Sequence, residues 1–148
     1  MAEYNENAYK LARQAYIEHD CPFERALLSR CVACSRARRL NLAEREAIAC
    51  GAPAVRAHCL SFHQGLHENA QFALKIGAGA PWPFGKEIRA QCGGARGLAE
   101  ALGAAGDETT DVAATVLHGV ERFGACAELP YSAIMRAVVH YEPRKRRR

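Results

Sequence analysis

Apolar positions recur along most of this chain at alternating three- and four-residue steps, the period of an amphipathic helix. The clearest stripe is Val55, Cys59, Phe62, Leu66, Asn69 and Ala73, behind a proline at position 53 where the first turn of a helix tolerates one. It predicts a helix from 53 to about 76. Ile88, Cys92, Ala95, Ala99 and Leu102 keep the same rhythm and predict another, closed by Gly103 and Gly106. Weaker patterns predict helices over 4–18, from 20–22 to about 39, from 41 to 51, over 107–123 and over 130–140. Asn41 followed by Glu44 reads as a capping box for the segment ending at Gly51. Residues 77–85, rich in glycine and proline, read as a loop. No alternation of β-branched residues competes. The pattern therefore predicts an all-α fold, a single compact bundle of six to seven helices over 1–142 with a short basic tail at 143–148.

Composition agrees with that picture. The chain has 148 residues, enough for one domain with its own core, and is 49% hydrophobic but only 7% aromatic. Abundant alanine favours helices packed closely together. No apolar run approaches the ~18–20 residues that span a bilayer, so no membrane association is expected. The segment Met1 to Asn7 lacks the basic and apolar regions of a signal peptide, which leads to the expectation of a cytoplasmic protein.

Seven cysteines change the question. In a reducing compartment this density argues for metal or redox chemistry over a disulfide framework. Cys31 and Cys34 form a CxxC pair, but with no strand before it the thioredoxin arrangement is disfavoured. If the chain reverses near 40–41, antiparallel helices bring Cys31 level with Cys50, each about 15 Å from the turn. The next reversal, near Ala52, brings Cys59 within about a helical turn of Cys34. Cys31, Cys34, Cys50 and Cys59 are thus the expected ligand set, with Cys92 and Cys21 in reserve. Four thiolates suit an iron–sulfur cluster, [4Fe–4S] by preference, or a closed zinc site. The best zinc alternative mixes Cys31, Cys34 and Cys59 with His63. Cys126, after the sixth helix, is expected to be no ligand. Cysteine also packs well as a small hydrophobe, and Cys59 and Cys92 occupy stripe positions that Ala could fill. Six cysteines between 21 and 92 are too many for packing alone. Gly93-Gly94 beside Cys92 implies a close backbone approach, to a cluster or to another helix.

Other chemistry is thin. His63 and His67 share a helix face at the i, i+4 spacing of HExxH zinc helices, but Gln64 stands where those helices carry the general-base glutamate. They read as a half-exposed pair. No paired carboxylates, nucleophile–base set or phosphate loop is evident, which speaks against an enzyme. Trp82 and Phe84 sit between prolines in the 77–85 loop, and Arg144, Lys145 and Arg146 lie in the basic tail. These are candidate partner-binding residues, and only the tail offers nucleic acid a contact. The expected function is a small cysteine-ligated metalloprotein for electron transfer, redox sensing or cluster delivery, serving a protein redox partner or cluster acceptor. The alternative is a helical adaptor module with a structural zinc or no metal.

Overall fold

Residues 31–50 overturn the all-α expectation. In a computed structural model that describes residues 6–104 and 109–142, the chain reverses there as a β-hairpin, so the fold is mixed: mainly helical, with one two-stranded antiparallel sheet. Strand β1 is Ala37–Leu42 and β2 is Arg45–Cys50, paired from Ala37 opposite Cys50 to Leu42 opposite Arg45. Ala43 and Glu44 make the two-residue turn with both φ values positive, 47° and 66°. That is the backbone of the tight turn whose twist matches paired strands. The usual signature is Asn-Gly or Asp-Gly, and an Ala-Glu turn carries no such signal. The capping-box reading of Asn41 and Glu44 fails for the same reason. Both residues belong to the hairpin end.

Helix α1 is Glu6–Tyr16, and α2 is only Glu24–Ser29, six residues long. The predicted continuation of α2 to residue 39 stops because Arg30 adopts a left-handed conformation (φ 63°) and its N–H caps Leu27. Helix α3, Pro53–Ala73, matches the strongest sequence stripe, with Cys59, Phe62, Leu66 and Ala70 buried. The segment after it stays non-helical up to Pro83, where α4 (Phe84–Ile88) begins. A π turn over Arg89–Gly93 then leads into α5, Gly94–Ala101. Helix α6 is Val112–Phe123, capped by the Asp111 carboxylate accepting from the Ala114 N–H, and α7 is Tyr131–His140.

The core gathers Phe23, Phe62, Leu66, Leu98, Val112, Val116, Ile134 and Val138, all buried. A smaller cluster of Tyr9, Leu42 and Ala47 fixes α1 to the hairpin. Gly93 answers the question its sequence raised. A Cβ there would lie 2.8 Å from the Val138 Cα, and one on Gly97 would lie 2.7 Å from the Ala137 Cβ. The glycines let α5 and the π turn approach α7, so close helix packing explains them and a cluster is not needed. No helix among the described residues is long and apolar enough to cross a membrane.

Candidate functional site

Four of the seven cysteines lie on stretches of chain that meet where the hairpin joins the start of α3, though no three of their sulfurs lie within 4.8 Å of one another. Cys50 ends β2. The stretch His19–Cys21 runs antiparallel beside it, with the Cys50 N–H donating to the His19 carbonyl (2.7 Å) and the Cys21 N–H to that of Ile48 (3.1 Å). Cys34 sits just before β1, its carbonyl accepting from the Ala37 N–H (3.2 Å), and Ala37 pairs with Cys50. The Cys34 segment is held from the far side too. Ala33 bridges in parallel to Asp111, whose carboxylate accepts from the Ser35 N–H at 2.9 Å. Cys59 comes from α3, two turns past the proline that starts it.

Cys21 and Cys59 lie within electrostatic reach of each other and of Cys34 and Cys50. Burial pushes the Cys59 thiol up to about 12, and negative charge on Cys34, Cys21, Cys50 and Cys126 adds to the rise. Burial likewise pushes Cys21 up to about 12, against a lowering by the Phe23 N–H bonded to it, with Cys34 and Cys50 raising it further. Burial thus keeps the Cys21 and Cys59 thiols in their protonated form.

The expected set of Cys31, Cys34, Cys50 and Cys59 needs one correction. Cys31 forms a disulfide with Cys92 across 61 residues of sequence, Cα–Cα 6.1 Å, so its sulfur is not a free ligand. Cys21, held in reserve by sequence, takes its place beside Cys34, Cys50 and Cys59. A helix rises about 1.5 Å per residue and a strand about 3.3 Å, so the hairpin changes the neighbour of each cysteine. The disulfide ties the end of α2 to the π turn, with the Ser29 hydroxyl 3.4 Å from the Cys31 sulfur. Cys126 stands less apart than expected: its S–H donates to the His58 carbonyl at 3.4 Å, next to Cys59 in sequence.

A second group of polar side chains lies further along α3. His63 and His67 both face Glu87 of α4, with Nε2 of His63 2.8 Å from one carboxylate oxygen and Nε2 of His67 2.6 Å from the other. Glu87 is 7% exposed. Gln91, in the π turn, donates to Glu87 Oε1 (2.7 Å) and accepts from the Ala26 N–H (3.0 Å). Burial alone pushes the Glu87 carboxyl up, but hydrogen bonds from His63 and Gln91 and the two imidazoles outweigh it and bring it down to about 2. Burial holds His67 below its ordinary value, against the pull of Glu87. Sequence reading does not single out Glu87, since scattered acids read as helix caps and solvated faces. His63 points its ring nitrogen to Glu87 and so belongs to this group; the mixed Cys31/Cys34/Cys59/His63 zinc site does not form.

The candidate partner residues divide. Trp82 stacks on His67, ring centroids 3.9 Å apart at 16°, and therefore lids the histidine pair. Phe84 is exposed, with the Arg25 guanidinium 4.8 Å above its ring. Arg144, Lys145 and Arg146 lie outside the described residues. No protein-family model, no curated protein and no solved structure matches this chain.

Proposed function

We propose that Cys21, Cys34, Cys50 and Cys59 hold an iron–sulfur cluster, [4Fe–4S] by preference, and that the protein is a one-electron carrier, redox sensor or cluster donor. The observation that carries the reading is the placement of these four cysteines on four separate stretches of chain that meet beside the hairpin, with Cys34 and Cys50 within electrostatic reach of Cys21 and Cys59. Four cysteine thiolates are the full protein ligand set of such a cluster. Three of the four are half-buried and Cys59 is buried, which suits a group shielded from water yet near enough to the surface for electron exchange. The cluster, when bound, supplies the electron chemistry. The chain's own part is to hold four sulfurs on braced backbone and to keep water from Cys59. A protein redox partner or cluster acceptor completes the function, and a cytoplasmic setting fits the five free thiols.

Anaerobic reconstitution with iron and sulfide tests this. The expected product is brown, with iron and acid-labile sulfide in equal amounts, and both are lost in Cys21→Ser and Cys59→Ser but kept in Cys126→Ser and Cys31→Ser. A colourless product without sulfide would overturn the reading. Stoichiometric zinc in its place would replace it with a structural site on the same thiols.

A further inference from the structure

The geometry points to a second metal site: we infer that His63, His67 and Glu87 bind a divalent transition-metal ion of the zinc or iron(II) class. One ligand atom from each of the three lies within 4.8 Å of the other two. Two imidazoles and one carboxylate are a donor set that such ions accept while keeping positions open for water or a small ligand. Neither calcium nor magnesium fits, since both favour all-oxygen surroundings.

Three features go beyond the closeness of the side chains. The histidines stand at i and i+4 on a 21-residue helix, so their separation is fixed by the backbone. The carboxylate is held by Gln91, whose own carbonyl is fixed by the Ala26 N–H; that is the outer-shell support that orients a metal ligand. Gln91 lies in the π turn, a rare distortion that occurs disproportionately at functional sites. Apolar rings wall the group, with Trp82 stacked on His67 and Phe23 edge-on to His63 at 5.8 Å.

Without metal, the two Nε2 atoms and the carboxylate oxygens are joined by hydrogen bonds. On binding, the ion takes the Nε2 positions and the single proton of each neutral ring moves to Nδ1. Carboxylate and neutral imidazole are the forms a metal requires. The site shares no residue with the thiol group, so either can fail without the other.

Trp82 supplies the test, because it is the chain's single tryptophan and stacks directly on a proposed ligand. Cobalt(II) is titrated into the full-length protein, and Trp82 fluorescence is followed together with absorption. Expected are saturable quenching at one equivalent and visible bands of nitrogen and oxygen ligation. Cobalt on the thiols would instead give intense sulfur-to-metal absorption in the near ultraviolet. Glu87→Gln keeps the side chain's shape and Gln91's neighbourhood, and is expected to weaken the quenching affinity by more than about tenfold while leaving the sulfur band in place. His63→Asn serves as a second variant, and circular dichroism verifies that both fold. Wild-type protein that shows no saturable quenching, or variants that quench as wild type does, would overturn the inference and leave Glu87 as a hydrogen-bonded brace.

Discussion

Replacing Ala43-Glu44 by Asn-Gly should stabilise this protein, and the sign of the effect decides between a hairpin and a helix. Both residues sit at positive φ, 47° and 66°, where a Cβ meets the following carbonyl oxygen. That conformation costs an L-residue roughly 1–2 kcal/mol, so the pair carries about 2–4 kcal/mol. Asparagine relieves part of its share and glycine nearly all of its own. Against this, glycine frees the unfolded chain, which gives back about 0.5–1 kcal/mol. The net gain is about 1–2 kcal/mol, a rise in Tm of about 2–8 °C for a chain of this size. The neighbouring strands are unaffected, because Leu42 and Arg45 already pair across the turn. Were 41–51 a helix, the same change would put Gly and Asn into its first turns and cost about 1 kcal/mol or more. Thermal unfolding followed by circular dichroism, on Asn-Gly and wild type side by side, reads the difference. A lower Tm for the variant refutes the hairpin turn.

Three further outcomes follow from the packing and the charges. The Cys31–Cys92 link closes a loop of 61 residues, which on a chain-entropy basis is worth about 4 kcal/mol, so Cys31→Ser or a mild reductant should lower Tm by about 8–16 °C in a thermal melt. A reductant that moves Tm no more in wild type than in Cys31→Ser would argue that the link does not form in solution. Gly93→Ala should destabilise by about 1–3 kcal/mol in urea unfolding, because its methyl would meet the α7 backbone at Val138, whereas Gly85→Ala, with open space around it, should not. Glu87 is held from its ordinary 4.5 down to about 2, so its stabilising contribution is complete above 4.5 and lost as pH falls toward 2. His67, also held below its ordinary value, adds to the loss in the same direction as it becomes protonated. Urea melts of wild type and Glu87→Gln between pH 7 and 3 should show a shallower acid decline in the variant.

The sequence by itself determined the helices whose apolar stripes run long enough to average over local noise. In α3 the period alone placed Cys59, Phe62 and Leu66 on the buried face, while α6 and α7 were legible from weaker patterns. It also implied that Cys34 and Cys50 approach each other, because any antiparallel reversal near 40 brings them toward one end. What it could not supply was the kind of reversal. The β2 sequence, Arg-Glu-Ala-Ile-Ala-Cys, is alanine-rich and reads as helix by intrinsic propensity; strand pairing with β1 and burial of Ala47 and Ile48 decide otherwise. Which thiol sits beside which then depends on strand register and on the bridge from Asp20 to Ala49, both of which are contacts between distant stretches of chain. Cys31 is drawn away to Cys92 and Cys21 is left free beside β2 for that reason. Glu87 was invisible for the same reason. A carboxylate 20 residues from His67 gains its meaning only when the chain, after leaving α3, returns Glu87 to the face where the two histidines already stand.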